Sequence, residues 1–387
     1  MLKQLEGSQG IAEAIALCRP GIVCAYPITP QTHIVESLGE MIHGGEINSA
    51  RFINVESEMS AISVAMGGCV SGVRSYTATS SQGLLFMMEA VYNASGLGLP
   101  LVMTLGNRTI GSPINIWNDH SDVMSVRDAG WLLLFADSNQ DALDLHIQAF
   151  RIAEEAGIPV MVCVDGFILT HAYEPVDVPT QEQVDEFLPA YRSIQTLSFD
   201  DVCAIGAMVP PTIFTEVRYI AHNKYQKAKD IILDVQKDFQ RIFGRESGGM
   251  IRSYKAEDAQ TIVVSMGSIA GTIHDAIDEL RDDGHKIGHV SICAYRPFPV
   301  EELRQALWNA EKVIVVEKAF SMGRGGVLYE EVQLALRGDD MQIHSVIAGL
   351  GGREIFKEDL KRIFIKEDLE RELFLNLKHE LLKDIID

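Results

Sequence analysis

Residues 24–38 read CAYPITPQTHIVESL, and this stretch decides the fold of the first part of the chain. An apolar run that is typical of a buried strand ends at Tyr26, and a segment with helical periodicity follows. Thr29 is predicted to be the N-cap residue of that helix and Pro30 its first residue. A strand that leads directly into a helix is the building unit of α/β proteins. The same corner is suited to a ligand, because a helix N-terminus presents donors to an anion such as a carboxylate.

The composition limits the class of protein. The chain has 387 residues, which favours two domains, and its net charge of −21 argues against nucleic acid or an anionic membrane as a partner. The longest apolar runs are too short to span a bilayer and the N-terminus lacks the apolar core of a signal peptide, so we expect a cytoplasmic protein. None of the six cysteines lies within four residues of another, which excludes a locally encoded zinc or iron–sulfur site.

Strand-like and helix-like segments alternate in two series along the chain. Such alternation predicts parallel sheets that are covered by helices on both faces. We therefore predict an α/β protein with two three-layer, parallel-sheet domains. The predicted boundaries are 1–200 for the first domain, 201–257 for a helical linker or lid, 258–365 for a smaller second domain and 366–387 for a helical tail.

Three further polar stretches follow predicted strands of the first domain, where open parallel sheets bind their ligands. They are NVESEMSA at 54–61, TATSSQG at 77–83 and GNRTIGSPINIWNDHSDVMSVRD at 106–128. In the first of them, Glu56 and Glu58 open an otherwise apolar helix. The helix dipole explains an acidic residue at this position. A glutamate held in an apolar pocket would instead exchange a proton with a ligand nitrogen.

The other two stretches have both structural and functional interpretations. The small residues of TATSSQG let the backbone approach a ligand, although Ser80 or Ser81 is also an ordinary N-cap residue. The loop at 106–128 is long enough to be functional or disordered, and its interleaved isoleucines and tryptophan argue against disorder. Arg108 is suited to a bidentate grip on a carboxylate, with a surface salt bridge as the equal alternative. His120 is expected to be structural.

Together, YPITP, VESE-x-SA, TATSSQG and INIWND-x-x-D, in this order and spacing, resemble the alpha subunit of the 2-oxoacid:ferredoxin oxidoreductases. The resemblance covers nearly the whole chain and is closest to the multi-subunit pyruvate:ferredoxin oxidoreductases. It implies a thiamine diphosphate pyrimidine-binding domain followed by a domain similar to the transketolase C-terminal domain. The implied activity is reversible oxidative decarboxylation of pyruvate with coenzyme A to acetyl-CoA and CO₂, with electrons passing to ferredoxin.

The resemblance also implies roles for individual residues. Glu58 corresponds to the glutamate that bonds N1′ of the thiamine aminopyrimidine, and Glu56 to a supporting residue. Thr29 and Arg108 are implied to hold the substrate carboxylate, with Asn115 as a further substrate contact. Glu58, Thr29 and Arg108 are thus the predicted catalytic residues, and no metal ligand is predicted in this chain. The other implied cofactor contacts are Pro27, Ile28, Ser80, Ser81 and Gln82.

Two features that the implied reaction needs are absent from the sequence. No G-D-G is followed by a metal-binding Asn, and VDG at 164–166 and DDG at 282–284 lack that context. No set of cluster-binding cysteines is present either. The resemblance therefore implies beta, gamma and delta partner subunits, or fused equivalents, that carry Mg²⁺ and [4Fe-4S] clusters. Thiamine diphosphate would be shared with a partner, coenzyme A would be the co-substrate, and the assembly would be a dimer of heteromers.

Several alternatives stay open. The substrate could be 2-oxoglutarate, a branched-chain 2-oxoacid or oxalate. A dicarboxylate should require an additional cation, and Arg108 is the only basic residue from Asn107 to Ser125 apart from His120. A non-catalytic scaffolding subunit is a second alternative, against which the presence of all three predicted catalytic residues argues. A nicotinamide dehydrogenase is excluded, because no dinucleotide fingerprint follows the first predicted strand.

Overall fold

The computed structural model describes residues 1–193, 195–198, 200, 202–339 and 341–383. The elements of the first part, in chain order, are β1 (Leu2–Glu6), α1 (Gly7–Leu17), β2 (Ile22–Val23), α2 (Thr32–His43), β3 (Arg51–Phe52), α3 (Glu58–Val70), β4 (Ser75–Thr79), α4 (Ser81–Phe86), α5 (Met88–Gly96), β5 (Val102–Asn107), α6 (Ser121–Ser125), β6 (Leu132–Phe135), α7 (Asn139–Ala156), β7 (Val160–Asp165), β8 (Tyr173–Asp177), α8 (Gln181–Phe187) and α9 (Pro211–Phe243).

The second part continues the same alternation. Its elements are β9 (Ile251–Tyr254), β10 (Thr261–Ser265), α10 (Ile269–Asp282), β11 (Ile287–Ile292), β12 (Ala294–Arg296), α11 (Val300–Ala306), β13 (Lys312–Glu317), α12 (Val327–Ala335), β14 (Gln342–Ile347), α13 (Lys357–Phe364) and β15 (Glu372–Phe374), with short 3₁₀ turns at Leu350–Gly352 and His379–Leu381. No helix among the described residues is long and apolar enough to cross a membrane.

The first sheet has seven strands in the order β12-β6-β7-β5-β4-β2-β3, all parallel except β12. Strands β4, β5 and β7 are buried along their whole length, as expected for a parallel sheet that is covered on both faces. Helices α1, α2, α7 and α9 pack on one face, and α3, α5 and α6 on the other. The three-layer α/β class predicted from the sequence is confirmed.

The second sheet has six strands in the order β15-β14-β13-β10-β11-β9, with only β9 antiparallel. One apolar core joins it to the first sheet, since Trp131 and Phe135 of the first part lie in the same buried cluster as Val264 and Val290 of the second. Strand β12 strengthens the joint because it leaves the second part and pairs with β6. The two sheets are therefore held together by both packing and backbone hydrogen bonds.

The structure corrects the predicted start of the second helix. Helix α2 begins at Thr32 with Gln31 as its N-cap, so Thr29 is not the N-cap and Pro30 is not the first helical residue. Gln31 is fully buried and its Nε2 donates to Tyr26 O at 2.8 Å, while its backbone N–H donates to Ile28 O at 3.0 Å. These two bonds close a turn over residues 26–31 and delay the helix.

Other differences lie at the ends and at the joint. Strands β1 and β8 form an antiparallel pair outside both sheets, which the sequence did not predict. The predicted helical tail at 366–387 is wrong over β15, which extends the second sheet, and residues 384–387 lie outside the described residues. Residue 201, which is the first residue of the predicted linker, also lies outside the described residues. The long helix expected in the linker is present as α9, and its buried residues pack into the first core.

Candidate active site at the carboxyl edge of the first sheet

Glu58 opens helix α3 beside the first turn of α4. Ser57 is the N-cap of α3, and its Oγ accepts a hydrogen bond from Ser60 N at 3.3 Å. The Glu58 side chain is half-buried, and a Cβ atom built on Gly83 would lie 2.8 Å from its Oε1 atom. Glycine at position 83 therefore leaves the space that the carboxylate occupies. The glutamate is held between the first turns of two helices rather than out in solvent.

Glu56, the other acidic residue of this segment, lies in a different environment. It is exposed, and it accepts a hydrogen bond from the hydroxyl of Ser60, which lowers the pKa of Glu56. This contact ties Glu56 to the first turn of α3. The structure thus separates the two carboxylates, and only Glu58 packs against α4. The supporting role of Glu56 stays a prediction.

The turn between β4 and α4 brings backbone close to this carboxylate. Ser80 is the N-cap of α4 and is fully buried, and its hydroxyl lies against the end of β5, 3.0 Å from where a Cβ on Gly106 would be. Ser81 has a φ of 50°, a left-handed conformation that costs a non-glycine residue free energy. Ser81 N donates to Asp122 Oδ2 at 3.1 Å, and Ser81 Oγ donates to Thr109 O. These bonds hold the strained turn in place.

Arg108 follows the last residue of β5 and points back to the opening corner. Its Nη1 donates to the backbone oxygen of Thr29 at 2.9 Å, so the structure brings these two predicted residues together. Arg108 is only 7% exposed, whereas Thr29 is exposed. Burial lowers the pKa of the Arg108 guanidinium, and the nearby Asp122 carboxylate partly offsets this effect. One donor of the guanidinium is thus anchored on the protein, which fixes its orientation.

Asp122 is the residue that joins these pieces, and sequence reasoning assigned it no role. Its fully buried carboxylate accepts hydrogen bonds from Ser81 N, from Arg108 N at 3.0 Å, from Asn107 Nδ2 at 2.9 Å and from Val123 N at 2.8 Å. Burial raises the pKa of Asp122 to about 6, against the lowering effect of these bonds. Asp122 is the final residue of the INIWND-x-x-D motif, so the signal was present in the sequence, but its three backbone partners were not visible there.

Several buried polar atoms near these residues have no partner among the described residues. They are Gln31 Oε1, Thr79 Oγ1, Ser80 Oγ, Asn107 Oδ1 and Arg108 Nε. Buried polar atoms are normally paired, because an unpaired one costs free energy. Unpaired donors and acceptors near a half-buried carboxylate fit a ligand with its own ring nitrogens and carboxylate. The arrangement can hold a proton at Glu58 and bind an anion at Arg108.

Asn115 is not part of this group. Its Nδ2 donates to Gly351 O at 3.2 Å, and it lines a cleft of about 460 Å³ between the loop at 106–128 and residues 350–353 of the second part. The remaining predicted cofactor contacts lie around the two turns. Pro27 is exposed, Ile28 and Gln82 are half-buried, and Gln82 Oε1 accepts a hydrogen bond from the Ser81 hydroxyl.

Two family models match the chain in succession. The model described as pyruvate flavodoxin/ferredoxin oxidoreductase, thiamine diphosphate-binding, matches residues 13–237. The model described as pyruvate:ferredoxin oxidoreductase core domain II matches residues 259–360. The first match contains Glu58, Arg108 and Asp122, and the second contains most of the second sheet.

Comparison with individual proteins leads to the same family of oxidoreductases. The chain is 42% identical to the pyruvate synthase subunit PorA of Methanosarcina barkeri over 98% of this chain and 97% of that protein. It is 39% identical to the ketoisovalerate oxidoreductase subunit VorA of Pyrococcus horikoshii over 95% of this chain and 94% of that protein. The fold is similar to that of 2-oxoglutarate:ferredoxin oxidoreductase from Magnetococcus marinus, with a TM-score of 0.69 at 18% identity, over 93% of this chain and 64% of that chain.

Proposed function

Because this chain belongs to the pyruvate flavodoxin/ferredoxin oxidoreductase family, we propose that it is the alpha subunit of a pyruvate:ferredoxin oxidoreductase of the pyruvate synthase type. The reaction is the reversible oxidative decarboxylation of pyruvate with coenzyme A to acetyl-CoA and CO₂, with electrons passing to ferredoxin. The observation that carries the proposal is the placing of Glu58 over Gly83, at the same sheet edge as the anchored Arg108. One residue suits proton exchange, and the other suits a carboxylate.

When bound, thiamine diphosphate supplies the carbon nucleophile for the keto group and the electron sink that permits loss of CO₂. Glu58 would hold the cofactor, exchanging a proton with a nitrogen of its pyrimidine ring. Ser80, whose buried hydroxyl has no partner among the described residues, would donate to the same ring or accept from it. At the pyrimidine ring, this chain would thus contribute a group that exchanges a proton and a neighbouring polar side chain.

Arg108 would orient the substrate. Because Nη1 is fixed on Thr29 O, the remaining donors of the planar guanidinium keep a constant direction, and a carboxylate that pairs with them is held with its keto carbon pointing away from the arginine. Burial strengthens this pairing by excluding water. The Thr29 hydroxyl, which is exposed at the rim, is suited to a second contact with the same carboxylate.

The other cofactors are proposed to lie on partner subunits. The six cysteines are free thiols, and all but Cys203 are buried, which supports placing the [4Fe-4S] clusters elsewhere. The beta, gamma and delta subunits, or fused equivalents, would supply these clusters and the Mg²⁺ that holds the diphosphate, in a dimer of heteromers. Glu58 and Arg108 would then face a site that a partner closes.

Pyruvate is favoured over dicarboxylic 2-oxoacids by the charges on residues 107–125. A second carboxylate would need a second cation, but the His120 ring is buried and bonds to Asp165 at 2.7 Å, which leaves Arg108 as the cation of this stretch. A branched-chain 2-oxoacid has no such requirement, and the similarity to a ketoisovalerate oxidoreductase subunit favours it as the second candidate. Rates with pyruvate, 2-ketoisovalerate, 2-oxoglutarate and oxalate in the assembled enzyme separate these substrates.

The decisive variant for the proposed function is Glu58→Gln in the assembled enzyme, assayed by reduction of ferredoxin. We expect turnover to fall at least ~10²-fold with assembly unchanged, because the amide cannot exchange the proton. Glu56→Gln, two residues earlier, tests the exposed carboxylate and should cost less than about tenfold. Normal turnover of the Glu58→Gln enzyme would favour a scaffolding subunit instead.

A further inference from the structure

We propose that Lys318, from the second part of the chain, is a positioning residue for the substrate grip of Arg108. It would act through a continuous set of buried hydrogen bonds that crosses the joint between the two sheets. The inference rests on the proposed function, because it takes Arg108 as the residue that binds the 2-oxoacid carboxylate. It gives the second part of the chain a role in substrate binding.

Lys318 follows the last residue of β13 and is only 3% exposed. Its ammonium group donates to Asp165 Oδ2 at 2.6 Å, to Asn118 Oδ1 at 3.1 Å and to Ser268 Oγ at 3.1 Å. An ammonium group has three donors, so every one of them is used. Asp165 and Asn118 belong to the first part of the chain, and therefore Lys318 spans the joint.

Asp165, the last residue of β7, is the carboxylate that forms an ion pair with the Lys318 ammonium group. It is 1% exposed, and it also contacts His120 Nε2 at 2.7 Å and accepts from Asn118 Nδ2 at 3.2 Å. Burial would raise the pKa of Asp165, but the charges of Lys318 and His120 outweigh it and hold the pKa well below its usual range. The pair is thus a buried ion pair whose remaining atoms are hydrogen-bonded to the loop at 106–128.

From Asn118 the bonds continue to Arg108. Asn118 Nδ2 donates to Asn107 O at 3.3 Å, Asn107 Nδ2 donates to Asp122 Oδ1 at 2.9 Å, and Arg108 N donates to Asp122 Oδ2 at 3.0 Å. Backbone bonds run alongside, since His120 N donates to Lys318 O at 2.9 Å. Lys318 is therefore bonded to the loop at both Asn118 and His120.

A structural role alone would make a different prediction. A buried ion pair that only joined two domains would change stability when broken and leave substrate binding alone. Here the pair bonds to Asn118, whose amide donates to Asn107 O next to Arg108, and its loss would let the guanidinium shift. A shift of about 1 Å is enough to weaken a positioned contact severely. Binding of the 2-oxoacid should suffer, while the chemical step and coenzyme A binding should not.

The test uses the assembled enzyme and steady-state kinetics. Lys318→Met should raise the KM for pyruvate about tenfold, with kcat and the KM for coenzyme A each changed by less than about threefold. Asn118→Ser leaves the ion pair in place but removes the bonds to Asn107 and Lys318, and it should raise the same KM. Lys318→Met with Asp165→Asn removes both charges, and it replaces Lys318→Met if that variant does not fold. Lys312→Met is the matched control on β13, because its ammonium donates to Lys366 O within the second part.

The outcomes separate this inference from the proposed function. If Arg108→Met raises the KM for pyruvate and the Lys318 and Asn118 variants leave it unchanged, the positioning role is wrong and the proposed function stands. If Arg108→Met itself leaves KM unchanged, the carboxylate grip assigned to Arg108 fails, and with it the positioning role, whereas the proposed function is tested separately by Glu58→Gln. A higher KM for pyruvate in the Lys318 and Asn118 variants, with the Lys312→Met enzyme unaffected, supports the positioning role of Lys318.

Discussion

The carboxyl edges of the two sheets use their polar residues in different ways. On the second sheet, Glu317 at the end of β13 is 3% exposed and accepts hydrogen bonds from Leu328 N at 2.8 Å and Tyr329 N at 3.0 Å at the start of α12. On the first sheet, Thr79 Oγ1 and Ser80 Oγ are buried without partners among the described residues. The edge of the second sheet pairs its carboxylate with backbone donors, whereas the edge of the first sheet has hydroxyl groups without hydrogen-bond partners among the described residues.

This difference explains why two sheets of the same class have different roles. Polar groups that pair with each other stabilise a strand–helix turn, whereas groups left unpaired at a strand end are suited to an external ligand. Lys318, the residue after Glu317, extends from the second edge into the first part of the chain. The second sheet thus supports the site rather than carrying one of the same kind.

Among the variants that test this difference, we expect the largest loss of activity from Arg108→Met on the edge of the first sheet. Removing the charge should lower kcat/KM for pyruvate about a hundredfold, because a charge-assisted bond to the substrate carboxylate is lost. Stopped-flow or steady-state reduction of ferredoxin measures this. Arg127→Met is the matched control, since Arg127 lies on the same loop and its Nη1 donates to Met124 O. Equal losses in the two variants would contradict the carboxylate grip.

Gly83→Ala should have an intermediate effect. The added Cβ would lie 2.5 Å from Thr79 Oγ1 and 2.8 Å from Glu58 Oε1, so the carboxylate must move. We expect kcat to fall about tenfold from this misplacement. In Gly67→Ala, the control on α3, an added Cβ meets nothing within 4 Å, and activity should be retained. Full activity in the Gly83→Ala enzyme would show that the position of Glu58 does not matter.

On the second edge, Glu317→Gln should leave activity unchanged, lower stability because its NH₂ group cannot accept from one of the two backbone N–H groups, and alter the pH dependence of stability. Burial raises the pKa of Glu317 from 4.5 to about 7, so the folded state keeps a proton that the unfolded state releases. The free energy of unfolding of the wild type should therefore fall by about 3 kcal/mol as pH rises from about 4.5 to about 7. This component is absent in the glutamine variant. Denaturant unfolding at several pH values checks it, and identical slopes would contradict the assignment.

The first sheet was predictable because its strands are continuous apolar runs. Strands β5 and β7 are fully buried, and such strands carry a strong sequence signal. The start of α2 was not predicted, since it depends on a local turn closed by the bond from the Gln31 side chain to Tyr26 O, which ordinary cap preferences do not indicate. Strands β12 and β15 were missed for a different reason, because three-residue strands depend on tertiary contacts with their partner strands.

The roles of the predicted site residues stay predictions, and the sequence did not indicate how these residues connect. The motifs placed Glu58, Thr29 and Arg108 at strand ends, and the structure joins Arg108 to Thr29. No local sequence pattern indicated the ion pair between Asp165 and Lys318, because these residues are 153 positions apart in sequence. Asp165 lies in the VDG segment at 164–166, where no metal-site context marked it, yet it is a central acceptor at the joint.

The central claim is that the Glu58 carboxylate exchanges a proton with the cofactor. The most direct measurement is hydrogen–deuterium exchange at thiazolium C2 of thiamine diphosphate in the assembled enzyme, followed by NMR after acid quench. We predict exchange at least ~10²-fold slower in the Glu58→Gln enzyme than in the wild type, with cofactor still bound. Equal exchange rates in the two enzymes would contradict the account.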